Sequence, residues 1–249
     1  MSPHDSGAYG EGVGADYDAL YPEAHLETEA AIAALAALAK PAGGSVLEFG
    51  IGTGRLALPL LDHGLRVAGI EASPTMLERL SAKPRADEIQ VVEGDFAEQR
   101  VEGRFGVVAL TFNAIFALPT REAQIACFRN AERHLERGGA VVVEAFVLGP
   151  EHLRGEWSIQ PRYVGHEHVE LQLARYDAGT QRIERTLVHL RPSGVRLVAV
   201  EDTYAWPGEL DLMARAAGLR LRKRDGGWSG EEFDSASRRH VSVYERDDD

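Results

Sequence analysis

The residues best suited to chemistry in this 249-residue chain are a group of glycines and acids that begins at Glu48. Gly50, Gly52 and Gly54 stand where a short apolar run gives way to a helical pattern. Glycines at such a turn allow a tight bend and a close approach of the backbone to a ligand, because no Cβ intervenes. Glu48 directs a carboxylate at the same turn, where it can hold a cationic group and would repel a pyrophosphate.

Further acids follow the next two apolar runs. Glu71 ends the second run, where a carboxylate can accept hydrogen bonds from both hydroxyls of a ribose. Gly94, Asp95 and Phe96 follow the third run, and an acid beside an aromatic ring suits the amino group and the ring face of an adenine. Acids and glycines after three successive runs coincide by chance far less often than a single glycine-rich turn. The pattern therefore predicts a site for a cofactor that contains adenosine.

The elements that must position these residues alternate along the chain. Short apolar runs predict seven strands, and the patterns between most of them predict helices. This alternation indicates βαβ units. The fold class is therefore α/β, a Rossmann-like and mostly parallel seven-stranded sheet with helices on both faces. The predicted strands are 45–49, 66–70, 89–92, 105–112, 140–147, 219–224 and 240–246, and the predicted helices are 22–40, 55–63, 74–81 (N-cap Ser73), 121–137 (N-cap Thr120) and 207–217.

The sequence pattern changes between the fifth and the sixth predicted strand. Three strand-like runs, 163–176, 181–191 and 195–206, are divided by glycine-containing turns. They predict an inserted three-stranded antiparallel sheet. The predicted organisation is 1–40 as an N-terminal cap segment and helix, 41–150 as a cofactor-binding core, 151–206 as an inserted substrate, lid or oligomerisation region, and 207–249 as the completion of the core sheet.

Charge and composition limit the partners. The net charge of −12 argues against a nucleic-acid partner, because such proteins neutralise phosphates with a basic surface. No apolar run reaches the roughly 18 residues that a membrane span requires. The single cysteine, Cys127, cannot form an internal disulfide and suits a reducing compartment. We therefore expect a cytoplasmic protein with a small-molecule substrate and no membrane partner, for which a homodimer is compatible with the inserted sheet.

Several segments resemble the motifs of class I S-adenosylmethionine-dependent methyltransferases. The resemblance extends from about Tyr17 to Tyr244, and it implies methyl transfer with S-adenosylmethionine as the cofactor. Its motifs are specific to the superfamily and carry no information about the acceptor. The similar segments are 46–55 (first motif), 67–77 (second), 92–96 (third), 112–113 (the loop after the fourth strand) and 134–139 (the turn before the fifth).

The resemblance also implies a role for each site residue. The methionine part of the cofactor would be faced by Glu48, Gly50, Gly52 and Gly54, and its carboxylate would be covered by Tyr17 and Tyr21. Glu71 would hold the ribose, and the adenine would pack against Ala72 and Met76. Asp95 would accept a hydrogen bond from the adenine amino group, and Asn113 would lie near the methyl group.

The insertion is similar to that of methyltransferases acting on amino sugars or glycine-like amines, so N-methylation is slightly favoured over O-methylation. Ala117 stands where many relatives carry a histidine, which favours catalysis by proximity and desolvation over base catalysis. Two alternatives stay open. An NAD-dependent oxidoreductase fits the G-x-G-x-x-A pattern at 52–57, although Glu48 and the antiparallel character of the last strand count against it. A protein that binds S-adenosylmethionine without turnover is the second.

Two histidines are the candidate catalytic residues of the insertion. His166 and His168 alternate along the first predicted inserted strand and so share one face. They would either line the substrate pocket or lie on a solvated face. No cysteine or further histidine has suitable spacing, so no metal site is expected.

Overall fold

The computed structural model describes residues 10, 14, 17–20, 27–149, 152 and 157–247. Two sheets dominate this part of the chain. The larger has seven strands, and its bounds are β1 Ser45–Phe49, β2 Arg66–Glu71, β3 Gln90–Glu93, β4 Phe105–Leu110, β5 Leu135–Phe146, β10 Leu219–Asp225 and β11 Arg239–Arg246. The helices are α1 Tyr17–Leu20, α2 Thr28–Ala39, α3 Ala57–Asp62, α4 Pro74–Ser81, α5 Arg121–His134 and α6 Pro207–Ala216. None of these helices is long and apolar enough to span a membrane.

The seven-stranded sheet has the predicted mixed topology. Its strand order is β10-β11-β5-β4-β1-β2-β3. The strands from β5 to β3 in that order pair in parallel, whereas β11 runs antiparallel to both β5 and β10. The antiparallel character of the last strand is thereby confirmed, and so is the α/β fold class.

The sheet is buried on both faces, which explains why its central strands read as continuous apolar runs. Successive side chains of a strand point to opposite faces. Leu47 of β1 accordingly packs in one hydrophobic cluster with Phe128 of α5. Its neighbour Val46 packs in a second cluster with Leu35 of α2. Helices therefore cover both faces, as predicted.

Local signals placed the helix starts correctly. Ser73 caps α4 by accepting a hydrogen bond from Met76 N at 3.2 Å, with Pro74 in the first turn. Thr120 caps α5 in the same way, accepting from Ala123 N at 3.1 Å. The C-terminal end of α5 was predicted three residues too late, because the backbone is already extended at Leu135, where β5 begins.

In its described residues, 152 and 157–206, the insertion contains four antiparallel strands instead of the predicted three. They are β6 Trp157–Val164, β7 Val169–Asp177, β8 Arg182–Arg191 and β9 Gly194–Thr203, in that spatial order. The predicted run 163–176 is in fact the end of β6, a turn and most of β7. The turn is closed by Gly165 N, which donates to His168 O at 2.9 Å. Gly165 and the three polar residues that follow it are the local signals of this turn.

The four-stranded sheet has two unlike faces. One face is buried against the rest of the protein and carries polar residues such as Gln172 and Asp202 among apolar ones. The large hydrophobic side chains of this sheet that stay exposed are Trp157, Ile159, Tyr163, Val164, Val195 and Leu197. The homodimer stays a prediction. The exposed apolar side chains of this sheet offer a surface that a second copy of the chain could cover.

Candidate active site

A cavity of about 600 Å³ lies between the carboxyl ends of the parallel strands and the buried face of the four-stranded sheet. In an open α/β sheet, ligands bind at this edge. The core side of the cavity is lined by residues that follow β1, β2 and β4. The opposite side is lined by the inserted sheet, where Gln160, Gln172, Tyr176, Arg185 and Asp202 contribute. The cavity thus has two halves, here called the core half and the sheet half.

The glycine turn after β1 forms the floor of the core half. Gly50 and Gly52 line the cavity with positive φ angles of 75° and 56°, a backbone conformation that favours glycine. Gly50 N and Ile51 N both donate to Ile70 O, at 2.8 and 3.1 Å, which ties the turn to β2.

Gly54 packs against the side chain of Leu80 in α4. It is not among the lining residues of the cavity. A Cβ at this position would lie 2.5 Å from the Leu80 side chain of α4, so the absence of a side chain allows close packing beneath the turn. The predicted contact of Gly54 with the cofactor is therefore not supported by its placement.

Glu48 is a buried acid that borders the core half. Only 4 % of the residue is exposed. Thr111 Oγ1 donates to Oε1 at 3.3 Å, whereas Oε2 is buried without a hydrogen-bond partner among the described residues. Burial raises the pKa of Glu48 from 4.5 to about 7, against the opposing charge of Arg55. A cationic group in the cavity would supply the missing partner and stabilise the ionised carboxylate.

Glu71 holds two turns together at the end of β2. Its Oε2 accepts from Gly52 N and its Oε1 accepts from Ser73 N, both at 2.9 Å. The carboxylate lines the cavity beside Ala72 and Met76. Each carboxylate oxygen can accept a second hydrogen bond, so a ligand hydroxyl can still be bound there.

The loop after β3 presents its ring, not its acid, to the cavity. Phe96 lines the core half and stacks on Phe49 with ring centroids 5.8 Å apart. Asp95 is absent from the lining, and its Oδ1 accepts from Ala97 N at 2.8 Å. Phe96 thus offers its ring to the cavity, whereas the roles of Phe96 and Asp95 towards adenine stay predictions.

The loop after β4 is held in an unusual conformation at the boundary of the two halves. Phe112 and Asn113 are non-glycine residues with positive φ angles of 51° and 66°. Phe112 N donates to Glu144 Oε2 at 2.8 Å, and Asn113 Oδ1 accepts from Phe146 N at 2.7 Å. Such conformations cost of order 1–3 kcal/mol each and persist where the surroundings enforce them. Asn113 lines the cavity, and its Oδ1 helps to hold β5. Its position near the methyl group of the cofactor stays a prediction.

The N-terminal helix α1 bridges the glycine turn and the inserted sheet. Tyr17 lines the cavity and packs in one cluster with Met76, Leu187, Val198 and Val200. The next residue, Asp18, accepts from Thr53 Oγ1 at 2.6 Å and pairs with Lys83 at 2.8 Å. Tyr21 lies outside the described residues.

Comparisons with known proteins agree with this geometry. Residues 46–139 match the family model for a methyltransferase domain. The cypemycin N-terminal methyltransferase of a Streptomyces species is 30 % identical over 207 residues, which are 82 % of this chain and 84 % of the relative. The structure of the CcbJ methyltransferase from Streptomyces caelestis is similar over 97 % of this chain and 99 % of that chain, with a TM-score of 0.87 and 36 % identity. The chain belongs to the S-adenosylmethionine-dependent methyltransferases.

A second curated relative is 28 % identical over 208 residues, 76 % of this chain and 81 % of its own length. It is the dTDP-3-amino-3,4,6-trideoxy-alpha-D-glucopyranose N,N-dimethyltransferase of Streptomyces venezuelae. With family membership shown, this methyltransferase is an enzyme that uses S-adenosylmethionine as its cofactor.

The core half of the methyltransferase fits this cofactor. The buried Glu48 Oε2 matches a cationic amino group, and the glycine turn leaves room beside it for an amino-acid moiety. A Cβ added at Gly52 would meet no atom closer than 4.0 Å, so the space before this glycine is open. Phe96 supplies an aromatic face at the other side of the turn.

The two histidines predicted as catalytic are not in the active site of the methyltransferase. Neither lines the cavity, and both lie in the turn between β6 and β7 instead of on a strand face. His166 is exposed, and His168 Nε2 lies 3.3 Å from His189 Nδ1. The predicted shared strand face is wrong, because β6 ends at Val164 and both histidines fall in the turn that follows it. Their catalytic role stays a prediction.

Sequence reasoning missed several residues of the sheet half. Arg185 and Asp202 form a close ion pair that lines the cavity, with side chains 26 % and 6 % exposed. Burial raises the pKa of Asp202, and the charge of Arg185 opposes the rise. His152 also lines the cavity, with its ring centroid 4.8 Å from that of Tyr176. Because the two partners lie on adjacent strands and are far apart in the sequence, no short sequence motif predicts this ion pair.

Proposed function

We propose that this methyltransferase transfers a methyl group to the amine nitrogen of a small molecule held in the sheet half of the cavity. The main support for this proposal is that a single cavity joins the glycine turn and Glu48 to the polar face of the inserted sheet. The two curated relatives are an N-terminal methyltransferase and an amino-sugar N,N-dimethyltransferase by name, which supports an amine as the acceptor.

The polar lining of the sheet half supports recognition of a polar acceptor. Gln172, Arg185 and Asp202 offer an amide, a guanidinium and a carboxylate to the same space. Each can hydrogen-bond an amine or hydroxyl of the acceptor and set its orientation. Tyr176 and Ile183 provide apolar surface beside them. A few polar groups on an apolar wall are typical of small-molecule sites.

Methyl transfer to an amine mainly requires that the two reactants be positioned. When bound, S-adenosylmethionine supplies a methyl group that its sulfonium already activates. Holding two reactants in line can lower a barrier by about 7–11 kcal/mol. A neutral amine brings its own lone pair, so the protein has to orient the amine and exclude water. Ala117 borders the cavity where a histidine base would be expected, in agreement with a nucleophile that needs no base.

We also propose that the N-terminal segment and residues 151–206 form the lid and the acceptor site, while 41–150 and 207–249 hold the cofactor. The contacts of Tyr17 and Asp18 support this division, since they join α1 to both regions. Deleting residues 1–16 should leave the fold intact, whereas deleting 1–24 removes these contacts and should weaken cofactor retention. Cofactor binding by the longer truncation at wild-type affinity would refute the lid.

The decisive experiment compares matched amines and alcohols. The enzyme is incubated with methyl-labelled cofactor and a panel of acceptors that includes amino sugars, free amino-terminal peptides and their hydroxyl analogues. We expect label on nitrogen, identified by mass spectrometry, and no transfer to the hydroxyl analogue of the best amine. Faster methylation of the alcohol would overturn the proposal. A cytoplasmic location belongs to the same proposal and is supported by Cys127, a buried free thiol.

A further inference from the structure

A second group of chemically capable side chains lies outside the cavity, at the far end of the inserted sheet. Glu170 of β7 and His189 of β8 are directly paired across the strands. His168 belongs to the turn that precedes β7 and points its ring at His189. None of the three lines the active-site cavity. Together they bring two imidazoles and one carboxylate to one point.

The distances between the ligand atoms match a metal-binding site. His168 Nε2 and His189 Nδ1 are 3.3 Å apart, and His189 Nδ1 and Glu170 Oε2 are 3.7 Å apart. All three ligand atoms lie within 4.8 Å of one another. A tetrahedral zinc ion with bonds of about 2.0–2.1 Å requires ligand atoms about 3.3–3.4 Å apart. Small side-chain movements would therefore complete three corners of a tetrahedron.

Two of the three groups are buried. Glu170 and His189 are buried, with side chains 6 % and 5 % exposed, and the 3.7 Å separation is too long for a hydrogen bond between them. A buried carboxylate is costly unless it is paired or coordinates a metal.

We propose that His168, Glu170 and His189 bind one zinc ion. Two imidazoles and a carboxylate form a donor set that zinc accepts readily, and His168 is only partly buried, which leaves room for water as a fourth ligand. The ion would join the β6–β7 turn to β8. Tyr163, whose ring centroid is 5.4 Å from that of His168, packs beside the site. Because the site is apart from the cavity, its role is to stabilise the sheet that carries Gln172 and Leu187.

Zinc titration of the purified protein tests the site. The protein is prepared without a polyhistidine tag, stripped with a chelator and titrated calorimetrically with zinc at neutral pH. We expect one ion per chain with a Kd below about 10 µM, and a thermal midpoint that rises by several degrees with zinc and not with magnesium. Cobalt in place of zinc should give the intense visible absorption of a tetrahedral site.

The variants separate a metal site from a hydrogen-bonded cluster. His168→Ala and Glu170→Gln should each weaken zinc binding at least about tenfold. His166→Ala is the matched control, since this histidine is in the same turn, exposed, and should leave the affinity unchanged. Retained affinity for S-adenosylmethionine verifies the fold, and the partly exposed His168 gives a test even if Glu170→Gln is unstable. Failure of the wild type to bind zinc at about 100 µM, or equal losses in His166→Ala and His168→Ala, would overturn the site.

Discussion

The two halves of the active-site cavity are built by different means. In the core half, acids and glycines follow consecutive strands. Their side chains are held by hydrogen bonds to the backbone, as when Glu71 accepts from Gly52 N and Ser73 N. In the sheet half, side chains from neighbouring antiparallel strands pair with each other, as Arg185 does with Asp202. The first construction suits a ligand shared by a whole family, and the second can change by single substitutions. We therefore expect substitutions in the core half to weaken binding of the cofactor, and substitutions in the sheet half to impair methylation of the acceptor.

The largest effect is expected from breaking the ion pair of the sheet half. Arg185→Ala leaves Asp202 buried without its partner, and unpaired buried charges cost about 3–5 kcal/mol, here reduced to about 2–4 because Arg185 is 26 % exposed. Thermal unfolding should show this loss, and amine methylation should fall by at least about a hundredfold. Affinity for S-adenosylmethionine, measured by calorimetry, should stay within about twofold of the wild type.

A double variant sharpens this result. Arg185→Met combined with Asp202→Leu replaces the pair with apolar side chains and should recover most of the stability without the activity. If the double variant methylates the acceptor like the wild type, the pair has only a structural role.

The matching change in the core half is Glu71→Ala. It removes two charge-assisted hydrogen bonds and the predicted ribose acceptor, and such bonds contribute roughly 1.5–3 kcal/mol. Cofactor affinity should fall by about 10- to 150-fold, as measured calorimetrically. Glu93→Ala is the control, because Glu93 ends β3 opposite Glu71 in register and is exposed. Unchanged affinity in a folded Glu71→Ala protein would contradict the ribose assignment.

Glu48 predicts a pH dependence that is confined to the core half. Its pKa of about 7 means that the carboxylate is largely protonated at pH 6 and largely ionised at pH 7.5. Only the ionised form attracts the cationic amino group, so cofactor affinity should rise by about five- to tenfold over that range. Glu48→Gln should remove this dependence and weaken binding at pH 7.5. A wild-type affinity independent of pH would be evidence against the contact.

The same group has the opposite effect on the free protein. The folded pKa of Glu48 lies above its ordinary 4.5, so the protonated carboxyl favours folding. This contribution is complete below pH 4.5 and is lost as the pH rises through about 7. Without cofactor, Glu48→Gln should therefore unfold at a higher temperature than the wild type at pH 8, and the difference should vanish near pH 4.5.

The smallest effects are expected for the two histidines of the β6–β7 turn. His166→Ala and His168→Ala should each lower kcat by less than about tenfold, below the usual contribution of a general base. Steady-state kinetics with the acceptor found in the screen provides the measurement. A thousandfold loss with intact cofactor binding would reject catalysis by proximity and would favour base-assisted O-methylation.

Local sequence predicted the core half well because its signals lie within a few residues of each other. The turn after β1 needs glycine at Gly50 and Gly52 for its positive φ angles, and the caps Ser73 and Thr120 bond within their own helices. Packing and local hydrogen bonds, and not the sequence pattern, decided where Gly54 and Asp95 lie. Gly54 allows the approach of Leu80, and Asp95 turns back to Ala97 N, which no pattern of residue types distinguishes from a ligand contact.

The sequence by itself determined the family, the α/β sheet and the acids that follow its strands, because periodicity and glycine positions act over short distances. Only the tertiary structure decided the inserted sheet. Each residue there faces the cavity or solvent according to strand register, and moving a boundary by one residue exchanges the faces. The pairing of Arg185 with Asp202 follows from that register. His166 and His168 lie in the turn between β6 and β7, and its position decides that His168 meets His189.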